Sequence, residues 1–242
     1  MDKNLIKKRF QSKLKTYDDN AIAQKIVVEN LTKLVPYKNY QNVLEIGCGT
    51  GFLSKKLDYL NAQKLYLNDL FEDVRDYSKI KNLAHEFLIG DIEKIDFPEN
   101  LDLIISANSL QWILNLELLF EKINKALNPN GSFIFSLFTV GNCAELANIF
   151  DVSLNYKNEA EIINMLNPNF IVNLHKTENI TLYFSNTKAI LNHIKLTGAN
   201  SVKTVSMTKS QLKKAEQEYE ELRTEKGLPL TYVTSYFRAT KN

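Results

Sequence analysis

The sequence predicts an α/β fold, a doubly wound and mostly parallel sheet with helices on both faces. Three observations carry that expectation. From Asn42 onward short apolar runs alternate with stretches of helical period, the pattern left by parallel strands joined through crossover helices. The apolar run Val43 to Ile46 passes directly into Gly47, Gly49 and Gly51, ahead of a helical stretch beginning near Phe52. A length of 242 residues fits one such domain with a small appendage and leaves little room for a second.

The elements follow in order. Ile6, Phe10 and Leu14 recur every fourth residue and predict a first helix. Ile22, Ile26, Val27, Leu31 and Leu34 mark a second, capped by Asp18 and Asp19 and limited by Pro36, with Tyr17 on the short connection between the two. Strands are expected at Val43 to Ile46, Lys64 to Asn68, Glu86 to Ile89, Leu101 to Ser106 and Ser132 to Phe138. The best intervening helix runs from Leu116 to Leu127, with Leu116, Leu119, Phe120, Ile123 and Leu127 on one face and a turn at Pro129 to Gly131. Beyond Phe138 the rhythm changes. A helix near Ala144 and a polar stretch precede two strand-like runs, Phe170 to His175 and Ile180 to Phe184. Two helices follow, Thr187 to Leu196 and Thr208 to about Glu225, the second opened by a Thr208 to Gln211 capping box. Tyr232 to Ala239 reads as a last strand. This organisation gives one domain over 1–242, with a helical cap at 1–35, a core at 36–140 and a helical lid inserted at 185–228.

Composition excludes several classes. Apolar residues at 44% are too many for a disordered chain. A net charge of +2 lacks the concentrated basic face of a nucleic-acid binder. The first fifteen residues do carry Lys3, Lys7, Lys8, Arg9, Lys13 and Lys15 against Asp2 alone, a bias suited to an acidic partner or to a solvated helix face. Cys48 and Cys143 have no metal-ligand spacing, so neither a disulfide framework nor a metal site is expected. No run approaches the roughly 20 apolar residues of a membrane helix, and no signal-peptide core opens the chain, so a cytoplasmic address is expected.

Chemistry concentrates at the carboxyl ends of the strands, where open α/β sheets hold ligands. Glycines after the first strand let backbone approach a ligand closely, and their G-x-G-x-G spacing lacks the third glycine position of the dinucleotide fingerprint. Asp69 closes the second strand; its carboxylate suits a ribose diol and would repel a phosphate, although an Asp there can also serve as a turn or cap. Ser106 to Trp112 sets polar side chains and the single Trp after the fourth strand, with Trp112 assigned mainly to packing.

Glu45-Ile46-Gly47-Cys48-Gly49-Thr50-Gly51 resembles the first motif of the class I S-adenosylmethionine-dependent methyltransferases. Further matches, among them Phe135-Ser136-Leu137-Phe138 with the fifth strand, narrow the resemblance to the malonyl-acyl-carrier-protein O-methyltransferases of biotin synthesis, with the tail elements specific to that subfamily. Arg9-Phe10 through Tyr17-Asp18 to Gln24 is similar to that family's opening region, and Asn108 to Trp112 to its S-N-x-x-L-Q-W segment. Lys195 to Asn200 and Leu228-Pro229-Leu230-Thr231-Tyr232 are similar to its tail elements. The resemblance implies a Rossmann-like, seven-stranded sheet and S-adenosyl-L-methionine as cofactor, held by Glu45, Gly47, Cys48, Gly49, Gly51, Asp69, Leu70, Asp91, Ile92 and Asn108. Gly90-Asp91-Ile92 would form the adenine site, or else a simple turn. Two departures bear on the acceptor rather than the cofactor: Val233 stands where the family would place an acid, and the turn after the fifth strand is reduced to Thr139-Val140-Gly141-Asn142.

The implied reaction is methylation of the free carboxylate of a malonyl thioester on acyl-carrier protein. Tyr17, Asn108 and Gln111 are the candidate catalytic residues. Tyr17, His193, Lys195 and Arg238 are candidate substrate contacts, the last three with an alternative reading as surface or strand-edge residues. No metal is called for. The acidic carrier would meet the basic first helix or Lys203, Lys209, Lys213 and Lys214. A monomer that binds neither nucleic acid nor membrane is expected. Three alternatives remain: a methyltransferase for another small carboxylate or a quinone precursor, a regulator that binds the cofactor without catalysis, and a dehydrogenase.

Overall fold

The computed structural model describes residues 14–76, 83, 85–150, 155–197 and 208–242. Among them, seven strands form one sheet in the order β3-β2-β1-β4-β5-β7-β6. The strands are β1 (Asn42–Ile46), β2 (Lys64–Asp69), β3 (Glu86–Ile89), β4 (Leu101–Ala107), β5 (Leu127–Phe138), β6 (Phe170–Phe184) and β7 (Leu228–Lys241). The first five are mutually parallel, and β7 runs antiparallel between β5 and β6. The order reverses direction between β1 and β4, which opens a crevice at their carboxyl ends.

The helices are α1 (Leu14–Asn20), α2 (Ile22–Thr32), α3 (Phe52–Lys56), α4 (Leu116–Ala126), α5 (Ala144–Phe150), α6 (Glu159–Leu166), α7 (Thr187–Leu196) and α8 (Lys209–Glu220). Residues alternate between the two sheet faces, so each face builds its own core. Val43, Leu65, Leu67, Leu103, Ile105 and Ile134 join Val27, Val28 and Leu31 of α2. Leu44, Ile46, Ile104, Phe133 and Phe135 join Leu119, Phe120 and Ile123 of α4. Burial on both faces is why the central strands read as continuous apolar runs. Stacked rings anchor the second layer, with Phe133 and Phe135 centroids 4.4 Å apart and Phe135 and Phe237 4.9 Å apart. Truncating Phe135 to Ala would cost about 3 to 5 kcal/mol.

Several expectations are corrected. Tyr17 lies inside α1 rather than on a connection, and α2 is entered through Ala21 without a side-chain cap from Asp18 or Asp19. Residues 128–131 do not separate α4 from β5 by a turn. Leu127 already pairs with Leu101, and the chain bulges before Ser132 pairs with Leu103. The polar stretch after α5 contains α6, opened by a capping box in which Asn158 and Glu161 satisfy each other's backbone amides. The two strand-like runs near 170–184 are the single strand β6. Its polar middle stays in the ladder because side chains there alternate between partly covered and exposed faces. The expected basic first helix lies largely outside the described residues, as do Lys203 and the segment 198–200.

Pairing of β7 with β5 ends at Phe138 and Thr234, whereas pairing with β6 continues from Asn179 and Val233 to Phe184 and Leu228. The β6 and β7 ladder therefore overhangs the carboxyl edge of the sheet by roughly 20 Å. α7 and α8 connect its two strands beyond that edge. They bury Ile190, Ile194, Ala215 and Tyr219 in the same apolar layer as α2, and α7 packs on α1. Among the described residues no helix is long and apolar enough to cross a membrane.

Candidate active site

A cleft with about 1170 Å³ of free space opens where β1 and β4 end. Its floor is the turn after β1. Gly47, Gly49 and Gly51 have φ of 74°, 52° and 84°, in the left-handed region. Gly47 also abuts Ser109: a Cβ there would sit 2.5 Å from Ser109 Cβ. The turn is tied down by neighbouring strand ends. Gly47 N and Cys48 N both donate to Asn68 O at 2.9 Å. Ser106 Oγ and Ser109 Oγ donate to Ile46 O at 3.0 and 3.2 Å.

Asp69, at the tip of β2, is 6% exposed and lines the cleft. Its Oδ2 accepts from Gly49 N at 2.8 Å and its Oδ1 from Phe71 N at 3.2 Å. With Leu70 adding a third backbone hydrogen bond to the carboxylate, lone-pair capacity remains for a further donor such as a ribose hydroxyl. Burial pushes its carboxyl up to about 6, against the pull of those amides. Glu45, 1% exposed on β1, also lines the cleft, and its Oε2 has no hydrogen-bond partner among the described residues. Burial raises its carboxyl to about 8, with Ser54 opposing and the Asp69 charge adding to the rise. An incoming ammonium or hydroxyl donor would find an acceptor there.

Gly90 follows β3, and it lines the cleft with Asp91 and Ile92 beside Leu70. Asp91 Oδ1 accepts from Glu93 N at 3.1 Å, so it shapes its own turn while facing the cleft. Asn108 has φ of 55° and lines the cleft; its N donates to Ser136 O at 3.2 Å. Its Oδ1 is buried with no partner among the described residues. Tyr17 reaches the cleft from α1 and stacks on Phe52 with centroids 6.1 Å apart. Burial, then the Asp69 charge, raises its phenol above the usual range, so it stays neutral.

Five candidates lie outside the cleft lining, among them Gly51, which opens α3. Gln111 instead braces Asn108, its Nε2 donating to Asn108 O at 2.7 Å. His193 is 5% exposed, with Nε2 2.9 Å from Tyr232 Oη and its ring 5.0 Å from Phe184. Burial lowers its pKa, and the ring packs in the interior outside the cleft lining. Lys195 is exposed on α7. Arg238 pairs with Ile134, four residues along β7 from the Thr234 and Phe138 pair, hence about 13 Å from the carboxyl edge. An antiparallel strand carries its late residues toward the edge opposite the cleft. On α8, Lys209, Lys213 and Lys214 are exposed, with Lys214 3.6 Å from Glu218.

Sequence reasoning missed Gln24, Asn68 and Ser109. Gln24 is 4% exposed in the cleft lining, with Oε1 unpartnered among the described residues. Asn68 holds the end of β3, its Nδ2 donating to Leu88 O at 2.7 Å and Gly90 O at 3.1 Å. A polar residue inside an apolar strand, immediately before Asp69, was the available signal.

Residues 44–135 match a protein family described as a methyltransferase domain. The chain is 36% identical to the malonyl-[acyl-carrier protein] O-methyltransferase of Calditerrivibrio nitroreducens, over 98% of this chain and 96% of that one. It is 31% identical to the enzyme of the same name from Chlorobium luteolum, over 97% and 94%. Among solved structures, a putative methyltransferase from Bacillus halodurans aligns with a TM-score of 0.65 at 12% identity, covering 88% of this chain and 97% of that one. The N-methyltransferase NodS of Bradyrhizobium japonicum, in complex with S-adenosyl-L-homocysteine, aligns with 0.57 at 14% identity, covering 98% of each.

Proposed function

The chain belongs to the malonyl-[acyl-carrier protein] O-methyltransferase family, and from that premise we propose that it uses S-adenosyl-L-methionine to esterify the free carboxylate of a malonyl thioester on acyl-carrier protein, an early step of biotin synthesis. The observation that carries this reading is the left-handed glycine turn flanked by two buried carboxyls, Asp69 with capacity for further donors and Glu45 with an unpartnered oxygen. That donor and acceptor set fits an adenosyl amino acid. Asp69 accepts from the ribose diol, and Glu45 with the Gly47 to Gly51 backbone receives the amino-acid end. Leu70, Asp91 and Ile92 take the adenine, and Asn108 borders the reacting centre. When bound, the cofactor supplies a methyl group already activated on a sulfonium.

The protein's task is then alignment, which can supply about 7 to 11 kcal/mol. A malonyl carboxylate is ionised at neutral pH and needs no general base. The neutral Tyr17 phenol suits that task, closing the cleft and donating a hydrogen bond without taking a proton. Gln111 acts through Asn108. α7 and α8 serve as the lid on the acceptor side, consistent with α7 packing on α1. In this reading the enzyme works as a cytoplasmic monomer, and exposed lysines of α8 receive the acidic carrier.

The test is incubation with labelled cofactor and malonyl-carrier protein, malonyl-coenzyme A or free malonate. A labelled methyl ester on the carrier-bound malonyl group is expected. Label on a different acceptor overturns the substrate assignment. Binding of S-adenosylhomocysteine with transfer to no acceptor overturns catalysis.

A further inference from the structure

The loop that follows β3 is fastened to α4 by two charged side chains. Glu93 reaches the start of the helix, where its Oε1 accepts from Asn115 N at 3.0 Å and its Oε2 from Leu114 N at 3.2 Å. Lys122, two turns further along α4, reaches back. Its Nζ donates to Ile92 O at 3.2 Å and also to Ile95 O, and stands 4.5 Å from the centre of the Phe97 ring. Burial lowers the pKa of this ammonium, and the charges of Asp96 and Asp91 oppose that fall. The loop has little slack of its own. Gly90 has φ of 141°, and a Cβ on it would lie 2.7 Å from Ile95 Cγ2.

The two attachments bear on the cleft. Ile92 lines one side, and Trp112 and Ile113, directly before the amides that Glu93 holds, line the cleft as well. Glu93 thus fixes the Ile92 segment relative to the Ile113 segment at one end, and Lys122 fixes its carbonyls at the other. Glu93 N is also the donor that orients Asp91 Oδ1.

We propose that Lys122 and Glu93 are positioning residues that clamp the loop Gly90 to Ile95 against α4, setting the width of the purine slot and holding Asp91 where it selects a 6-amino purine. The proposal rests on Asp91 and Ile92 as the adenine site. A carboxylate accepts from an exocyclic amine and repels a carbonyl oxygen at the same position. Selection therefore depends on where that carboxylate is held, which neither Lys122 nor Glu93 needs to touch the ligand to control.

The experiment is calorimetric titration of the full chain with S-adenosylhomocysteine and with S-inosylhomocysteine, which carries a 6-carbonyl. The wild type is expected to favour the adenosyl compound. Lys122→Met should weaken adenosyl binding about tenfold, the scale of losing hydrogen bonds to a charged group. It should weaken inosyl binding far less, so the preference shrinks, and in turnover KM for the cofactor rises while kcat holds. Lys122→Arg should restore most of the preference. Glu93→Gln, which keeps one acceptor and loses the charge, tests the other attachment should the methionine variant not fold. An unchanged adenosyl-to-inosyl ratio in Lys122→Met, or in Glu93→Gln if that variant alone is tested, overturns the clamp and leaves the adenine site standing. A wild type without preference, or Asp91→Asn with the wild-type ratio, overturns the adenine assignment and the clamp with it.

Discussion

Replacing Glu45 with Gln should abolish a pH dependence of stability that one buried proton confers on the cofactor-free protein. The folded carboxyl keeps its proton up to about pH 8, whereas the ordinary value is 4.5. Between those limits the folded state carries a proton that the unfolded chain has lost, so stability is greatest at the acid end and falls as pH rises through the window. The slope is about 1.4 kcal/mol per pH unit. From pH 6 to pH 8 the loss is about 2.5 kcal/mol, or about 5 to 10 °C in Tm for a chain of this size. Asp69, held near pH 6, releases most of its dependence below that interval, so the window isolates Glu45. Thermal denaturation followed by circular dichroism at pH 6, 7 and 8, without cofactor, measures the difference between Glu45→Gln and wild type. Subtraction cancels histidines that titrate in both. The expected difference grows in favour of Glu45→Gln by about 2.5 kcal/mol across the window. A difference that stays flat refutes the reasoning, because the folded carboxyl would then already be ionised at pH 6.

Other outcomes follow from the same geometry. Asp69→Asn should weaken S-adenosylhomocysteine binding by about ten- to a hundredfold, measured calorimetrically, through loss of charge-assisted hydrogen bonds worth about 1.5 to 3 kcal/mol. Gly47→Ala combines φ of 74° with a 2.5 Å approach to Ser109 Cβ. It should lower Tm by several degrees and abolish binding, with Ser109→Gly relieving the clash but not the backbone strain. Tyr232→Phe removes the partner of buried His193 and should cost about 1 to 3 kcal/mol in a denaturant melt while leaving KM for the acceptor unchanged. A large rise in that KM would return His193 to the substrate site.

The central sheet was legible because burial on both faces leaves uninterrupted apolar runs, and the glycine turn was legible because few glycines occur elsewhere to dilute it. Asp69 could be placed by register with that turn. What stayed hidden depends on partners distant in the chain. His193 is satisfied by Tyr232, 39 residues later, and no local pattern announces the pairing. Arg238 was set beside the substrate because composition gives a strand but not its direction. The middle of β6 resembled a break because His175, Lys176 and Glu178 are polar, yet Glu159 and Asn30 meet His175 and Glu178 from neighbouring helices. The helix at Glu159–Leu166 was written in plain capping chemistry, Asn158 with Glu161, inside a stretch whose polarity masked it.

The position of β7 between β5 and β6 governs how the molecule comes into being. Translation delivers β7 after both neighbours, so a nascent chain at that stage holds β6 with neither backbone edge matched and the sheet closed only as far as β5. Threading the last strand into this gap is a late, long-range event of the kind that folds slowly. Until it occurs, α7 and α8, which lead from β6 to β7, have no completed ladder to hold them beyond the sheet edge.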